Sequence, residues 1–347
     1  MATGTTTDGA DTGTTRRPRH RRLPALLALL ATLLILCALS LYIGSRSVTL
    51  QDLMAGLGGA VDNVAQAAVV KRVPRTVLAL LVGAALGLAG AVMQAVTRNP
   101  LADPSILGVN MGASLAVVAG MAWFGLSTAN GFIWAAIAGA AVAAVLVYAV
   151  GSLGRGGATP LKLALAGAAM SAALGSFLTA IALPRGDISA NIRSWQIGGV
   201  GGTTFEAIGP MLPFFAVGTL ICLLSARSLN SLALGDDVAA GLGENVAAIR
   251  LTAALGAVTL CGAAVAVAGP IAFVGLVVPH VCRLLVGVDQ RWLLPFSALT
   301  GSALLLASDI VGRVLARPAE LDVGIITAVI GAPVFIAIVR RAKVREL

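Results

Sequence analysis

The residue types that could catalyse a reaction or hold a metal ion are few and widely spaced in this chain. A thiol site needs closely spaced cysteines, and no such pair exists among the four: Cys37, Cys222, Cys261 and Cys282. The two histidines, His20 and His280, are too few for a zinc or haem site. No glycine-rich loop ends in Gly-Lys-Ser or Gly-Lys-Thr, so the chain lacks a phosphate cradle for ATP. We therefore expect a chain that is not an enzyme and holds no metal or cofactor, with cysteines that serve as small core residues.

Long uncharged segments make up most of the remaining sequence. Residues 76–97, between Arg75 and Arg98, contain no charge, and the whole chain is 58% hydrophobic and 11% charged. This composition would leave a soluble domain of 347 residues with more apolar surface than a core can bury. Because a membrane-spanning helix needs about 20 apolar residues, the sequence predicts an all-α polytopic membrane protein.

The uncharged segments predict about ten transmembrane helices. Single helices fit residues 23–45, 76–97, 163–184, 207–226, 292–308 and 323–339. Residues 104–154 are too long for one helix, and STANG at 127–131 supplies a turn between two. A further pair fits about 251–288, split at Gly269-Pro270, with Arg283 expected to reach a lipid headgroup from the last turn.

The distribution of basic residues predicts the orientation in the membrane. With the N-terminus inside, the cytoplasmic segments hold sixteen of the 24 lysines and arginines, as expected for loops retained in the cytoplasm. Both termini are then cytoplasmic. Since these charges are scattered over separate loops, they do not favour nucleic-acid binding.

The first 22 residues differ in composition from the rest. They are rich in Thr, Gly and Arg and are expected to form a disordered cytoplasmic tail, with residues 23–347 forming the transmembrane domain. The alternative is that RRPRHRR begins a cleaved secretion signal. The apolar run that follows it is long for a signal core, which disfavours this alternative.

The predicted spans offer no site for ion coupling. A carrier driven by an ion gradient normally keeps a carboxylate, histidine or lysine at mid-span, and these spans have none. Asp309 and Arg313 are near the outer end of a span, where their spacing predicts a local i,i+4 ion pair worth a few tenths of a kcal/mol. Uphill transport would then need an ATPase on another chain. A secondary carrier for a neutral or hydrophobic solute, or a membrane protein without transport, are the alternatives.

One cytoplasmic loop, residues 228–249, is long enough to contact such an ATPase. Leu229, Leu232 and Leu234 are expected to form one short apolar face. The residues that can end one helix and cap the next follow this face: Gly235, Asp236, Gly241 and Gly243. They predict two short helices joined at a glycine. The alternative is an amphipathic segment on the lipid surface, which the three acidic residues of the loop disfavour.

The helix predicted at 76–97 has a glycine-rich face. Gly83, Gly87 and Gly90 lie on nearly one side of it. Small residues allow helices to approach closely in lipid, so we expect helix packing here, with pore lining as the alternative.

Four stretches of this chain resemble the iron-siderophore and cobalamin permease family of ABC importers. They are RVPRTVLALLVGAALGLAGAVMQAVTRNPLADPSILGVNMGAS, LALGDDVAAGLG, GPIAFVGLVVPHVCRLLVG and the segment that runs from LLPFSALTG to GAPVFI. The resemblance extends from about Arg72 to the C-terminus. It implies the permease fold of that family, with ten helices per subunit, in the bacterial plasma membrane, and transport of a ferric siderophore, with cobalamin or haem as alternatives.

The resemblance also implies partners. The permease is expected to pair with a second copy or a paralogue, and with two cytoplasmic subunits that bind ATP and Mg. An extracytoplasmic binding protein would deliver the chelate. By the same resemblance, Arg72, Arg75 and Arg313 would receive acidic residues of that protein. The alternative for Arg72 and Arg75 is anchoring to lipid headgroups.

Two further sites follow from the resemblance alone. The ATPase coupling loop would comprise Leu234, Gly235, Asp236, Ala240, Gly241, Leu242 and Gly243. The inner gate would lie at Thr159, Pro160 and Leu161. At the gate this chain departs from the small polar residues that the family leads us to expect, because Pro160 and Leu161 stand there.

Overall fold

The structure is a computed structural model that describes residues 22–104, 108–153, 160–185 and 195–343. Every regular element with printed bounds in these ranges is helical. The helices are α1 (Arg22–Tyr42), α2 (Leu50–Leu57), α3 (Val64–Thr97), α4 (Val109–Phe124), α5 (Ala129–Ser152), α6 (Pro160–Ala182), α7 (Phe205–Ile208), a 3-10 turn (Gly209–Met211), α8 (Leu212–Leu224), α9 (Ala226–Leu232), α10 (Asp236–Gly241), α11 (Val246–Ala268), α12 (Val274–Val286), α13 (Gln290–Leu315) and α14 (Val323–Lys343).

The described helices confirm the all-α membrane fold. Seven helical stretches are long and apolar enough to cross a bilayer, and three shorter apolar helices complete the set of ten: Val109–Phe124, Val274–Val286 and Val323–Ala337. The expected disordered tail falls almost wholly outside the described residues, which begin with α1 at Arg22.

The predicted breaks between spans are confirmed, whereas one predicted start was too late. α4 and α5 are separated near STANG, where the Thr128 side chain caps α5 by accepting from the Gly131 N–H. α11 ends before Gly269, and α12 begins at Val274. α3, however, begins at Val64, capped by Asn63, well before the uncharged run at 76. The length of an uncharged segment reflects the thickness of the hydrocarbon core of the bilayer, and the helix can continue beyond that segment.

Helix α3 is the centre of the fold and packs most extensively against α13, and also against α11 and α12. Its glycine face allows this. A Cβ on Gly83 or Gly87 would collide with the backbone of α13, and a Cβ on Gly90 would collide with Gly275 of α12. The packing role predicted for these three glycines is therefore confirmed.

Helices α1 and α6 lie at the periphery of the chain. Only 11% of the apolar window of each is buried within the chain, compared with 78% for α3. Their remaining surface is apolar and must be covered by lipid or by another subunit.

Helix α3 also connects the two ends of the molecule. Arg72 and Arg75 lie near its start, and Arg98 follows its last residue. At a rise of 1.5 Å per residue, Arg75 and Arg98 are about 35 Å apart along the axis. Candidate functional residues lie at these two ends.

Candidate functional site

Three arginines and two acidic residues meet at one end of the fold. We call these five residues the arginine cluster: Arg72, Arg75, Arg313, Asp309 and Glu320. Arg75 donates from Nε to Asp309 Oδ1 at 2.9 Å and pairs through Nη1 with Glu320 Oε2 at 2.5 Å. Arg313 Nη2 lies 2.9 Å from the other oxygen of Asp309. Asp309 therefore lies between two arginines contributed by α3 and α13.

The Asp309–Arg313 pair forms as predicted, but its expected strength was wrong. The prediction treated it as a local pair worth a few tenths of a kcal/mol. Both side chains are only 1% exposed, and a buried charge without its partner is strongly destabilising. The pair is part of a buried network because α3 places Arg75 against the same carboxylate.

Arg72 and Arg313 hold the end of α1. Arg72 donates to the carbonyls of Leu41 and Tyr42 at 3.0 and 2.9 Å. Arg313 donates to the carbonyls of Ser40 and Ile43 at 2.8 and 3.0 Å. The last carbonyls of a helix have no partner within it, and positive charge is favourable at this end. The two guanidinium groups therefore act as a cap for α1.

Headgroup anchoring, the alternative expected for Arg72 and Arg75, does not fit these contacts. Arg72 is 6% exposed and also donates to the carbonyl of Arg46 at 2.8 Å. The Arg75 guanidinium is directed at Asp309 and Glu320. Both charged groups turn into the protein because acceptors are available there.

Glu320 forms the solvent-facing side of the arginine cluster. Its Oε1 accepts from the Ser45 hydroxyl at 2.8 Å, and its Oε2 accepts from Arg75. Burial alone would raise the pKa of Glu320, but the hydrogen bond and charge of Arg75, with the Ser45 hydroxyl, outweigh it and hold the pKa below its ordinary value. Glu320 was not predicted from the sequence. Its position seven residues after Arg313, in the loop that ends α13, was the available signal.

The segment 226–245 lies at the opposite end and forms two short helices, as predicted. α9 and α10 are separated at Gly235, whose φ of 121° is accessible to glycine. The single apolar face expected for Leu229, Leu232 and Leu234 is wrong. Leu229 and Leu232 are fully buried against the core, while Leu234 is 64% exposed, because the chain turns between them.

Exposed apolar side chains lie on and beside α10. Val238, within the helix, is 49% exposed, and Leu234 and Leu242, which flank the helix, are 64% and 63% exposed. We call Leu234, Val238 and Leu242 the α10 patch. Leu234 and Leu242 were predicted from the sequence to belong to this surface, whereas Val238 was not.

Asp236 was expected to cap α10, but Gly235 occupies the N-cap position. Instead, the Asp236 carboxylate accepts from Arg98, which follows α3, and from Arg250 of α11. Both arginines flank the loops at this end, yet the sequence alone does not indicate that they share one acid.

The start of α13 fixes α9 to the body of the protein. Asn230 donates to Asp289 Oδ1 at 2.9 Å and accepts from the backbone N–H of Gln290 at 2.9 Å. Arg22, at the start of α1, lies 3.7 Å from the same aspartate. α1, α9 and α13 therefore meet at this end of the molecule.

Arg283 lies in the last turn of α12, as expected, and its expected contact with a lipid headgroup stays a prediction. It donates to the side-chain oxygen of Gln94 in α3. Gln94 in turn donates to the carbonyl of Gly275 at 3.1 Å. The Arg283 guanidinium therefore has a polar acceptor inside the bundle.

Two other predictions concern the gate and the cysteines. Thr159 lies outside the described residues, while Pro160 and Leu161 begin α6, so the gate stays a prediction.

All four cysteines are free; Cys222, Cys261 and Cys282 are buried and Cys37 is half-buried. Their expected role as core residues is confirmed.

Comparison with known proteins assigns the fold. The model of the FecCD transport family matches residues 32–341. The ferric enterobactin transport system permease protein FepD of Escherichia coli K12 is 46% identical over 318 residues, covering 91% of this chain and 95% of the relative. The iron(3+)-hydroxamate import system permease protein FhuB of Bacillus subtilis 168 is 41% identical over 324 residues, covering 92% and 84%.

A solved structure supports the same conclusion. A metal-chelate type ABC transporter in an inward-facing conformation aligns with a TM-score of 0.77 at 30% identity, covering 92% of this chain and 99% of that chain.

Proposed function

Because this chain belongs to the FecCD transport family of ABC importer permeases, we propose that it carries a ferric siderophore into the cytoplasm. The observation that carries the proposal is similarity over more than nine-tenths of the chain to permeases named for ferric enterobactin and for iron(3+)-hydroxamate. Since those relatives handle different iron chelates, they favour the class of ferric chelates over one compound. Cobalamin and haem are the alternative substrates.

The energy would come from ATP bound with Mg by two cytoplasmic subunits. The α10 patch supports this proposal, because it presents three exposed apolar side chains on and beside a short helix that lies outside the long spans. A clustered apolar surface of this kind is typical of a protein contact. The end of the molecule that carries segment 226–245 would then face the cytoplasm, and both chain termini would lie on that side.

A second permease subunit, either a copy or a paralogue, would complete the transport path. The peripheral helices α1 and α6 leave most of their apolar surface uncovered within one chain. Part of this surface would face lipid, and part would face the second subunit. A bulky chelate would cross between the two subunits.

The extracytoplasmic binding protein would dock at the arginine cluster. Arg75 is the most accessible of the three arginines expected to receive acidic residues, with a side chain 13% exposed beside the more exposed Glu320. Arg72 and Arg313 are committed to the end of α1. We infer that a carboxylate of the binding protein reaches Arg75 first, and that such charge pairing sets orientation and encounter rate more than affinity.

An uptake experiment tests the substrate. Bacteria with and without this gene are given radiolabelled iron on catecholate, hydroxamate and carboxylate siderophores, and separately labelled cobalamin and haem. We expect deletion to abolish uptake of one ferric siderophore and a plasmid copy to restore it. Loss of cobalamin or haem uptake alone, or unchanged uptake of every compound, would contradict the proposal.

A carrier driven by an ion gradient is the second candidate. In the described spans, the buried carboxylate of Asp309 is paired with both Arg75 and Arg313, which leaves it poorly suited to bind and release a coupling ion. Vesicles that contain only this chain provide the test. Accumulation of a solute under an ion gradient without ATP would support the carrier and exclude the importer.

A further inference from the structure

Asp236 joins three helices through one carboxylate. It is the first residue of α10. Both of its oxygens lie 3.0 Å from Nη2 of Arg250 in α11, and Oδ1 also accepts from Arg98 at the end of α3. We call Asp236, Arg98 and Arg250 the Asp236 triad.

Little else attaches α10 to the bundle. Ala239 is its only buried residue, and the α10 patch faces outward. The chain itself joins α10 to α9 and α11, whereas a force applied to the patch would pass to α3 through the Asp236 triad. Because α3 and α11 are the helices that hold the two arginines, they would receive that force directly.

Folding stability does not explain the triad. Its three side chains are between 34% and 45% exposed, and ion pairs with this exposure contribute little to stability. The adjacent Asp237 has the same chemistry and the same favourable position in the first turn of α10. Asp237 forms no ion pair with the described residues. The arrangement of the triad is specific to Asp236.

Gln94 extends the connection from α3 to α12. It lies one turn before Arg98 and bonds to the Gly275 carbonyl and to Arg283. The end of α3 is thus linked to α10 on one side and to α12 on the other.

We propose that Asp236 is the positioning residue that transmits movement of the ATPase from the α10 patch to α3 and α11. This inference rests on the proposed function, because it requires an ATPase at the patch. Asp236 itself does not contact ATP or the transported solute in this proposal. It fixes the position of α10 relative to the two helices.

The complete importer, reconstituted in vesicles with its ATPase and binding protein, provides the test. ATP hydrolysis and solute uptake are measured in the same preparation for Asp236→Asn and for the matched control Asp237→Asn. We expect Asp236→Asn to lower the solute taken up per ATP on the order of tenfold while hydrolysis continues. Asp237→Asn should keep the wild-type ratio, and Asp236→Glu should recover most of it.

Variants on the other side of the triad guard against a folding defect. Arg98→Gln and Arg250→Gln leave Asp236 in place, and we expect each to lower the ratio while the importer still elutes as an intact complex. A wild-type ratio in Asp236→Asn would overturn the proposal. So would loss of ATPase binding in Asp236→Asn but in neither arginine variant, since Asp236 would then contact the ATPase directly.

The failure of the proposed function has a separate signature. If the wild-type chain fails to retain any ATP-binding subunit during mild extraction, the importer assignment is wrong. If the ATPase is retained and the ratio is insensitive to Asp236, only the role of the triad is wrong.

Discussion

The side chain of Gln94 supplies the Gly275 carbonyl with the donor that its own helix lacks. In a regular helix this carbonyl would accept from the N–H four residues later, but residue 279 is proline and has no N–H. Gln94 Nε2 lies 3.1 Å from the carbonyl oxygen. In a medium without water, an unpaired carbonyl is costly. A side chain of α3 therefore supplies the hydrogen bond that Pro279 cannot donate within α12.

Replacing Gln94 with leucine should destabilise the protein by about 1 to 3 kcal/mol, the cost of leaving a buried polar group unpaired. The Gly275 carbonyl would lose its donor, and Arg283 would lose its acceptor. Thermal unfolding in detergent, followed by circular dichroism, measures the loss. Gln51→Leu, at an exposed position in α2, is the control and should change little.

A second background makes this test specific. Pro279→Ala restores an N–H that can reach the Gly275 carbonyl, so Gln94→Leu should cost less in that background than in the wild type. An equal cost in both backgrounds would show that Gln94 does not act through the missing donor.

A close approach of α3 and α13 leads to a second prediction. An alanine at position 87 would place its Cβ against the carbonyl oxygen of Ser297, and overpacking of this kind costs about 1 to 3 kcal/mol. Gly175→Ala in α6 is the matched control, since its added Cβ would meet nothing within 4 Å. Unfolding temperatures in detergent should fall for Gly87→Ala and stay level or rise for Gly175→Ala. Equal temperatures would contradict the packing role.

The sequence predicted the spans and breaks because the bilayer itself sets them. A membrane-spanning segment of uncharged residues has a required length. STANG and Gly269-Pro270 each divide an uncharged segment that is too long for one helix. The face of Gly83, Gly87 and Gly90 was equally readable, since helical periodicity places them together. These features depend only on neighbours within a few turns.

The contacts that define the two functional ends depend on residues far apart in the chain. Arg313 bonds to Ser40, and Arg75 bonds to Glu320, so neither pairing could be read from local spacing. Asp236 has two basic residues near it in sequence, Arg227 and Arg250, and the fold pairs it with Arg250 and with the distant Arg98. One distant contact did leave a signal. Pro279 implies a carbonyl without a donor, and Gln94 is a rare polar residue in an apolar helix.

The pairing of Glu320 with Arg75 predicts a dependence of stability on pH. The folded state holds the pKa of Glu320 below its ordinary value of 4.5, so the contribution is present above that pH and is lost as pH falls through the folded-state pKa. The unfolding temperature of the wild type should therefore exceed that of Glu320→Gln at neutral pH, and the difference should shrink in acid.

Melting curves of both proteins across this acidic range measure the effect. Glu206→Gln removes an acidic residue that is exposed and forms no ion pair with the described residues. Its difference from the wild type should stay constant. A pH-independent difference for Glu320→Gln would rule out the proposed charge pairing as its origin.

The burial of Arg313 predicts that its removal damages the fold before it affects docking. In Arg313→Met, Asp309 loses one of its two charge partners, and the carbonyls of Ser40 and Ile43 lose their donor. Removing one partner of a buried pair costs about 3 to 5 kcal/mol. Because those carbonyls end α1, the following residues 43–49 should also become sensitive to protease. Arg46→Met is the control, since Arg46 is exposed. Wild-type stability in Arg313→Met, together with weaker capture of the binding protein, would instead assign Arg313 to the docking surface.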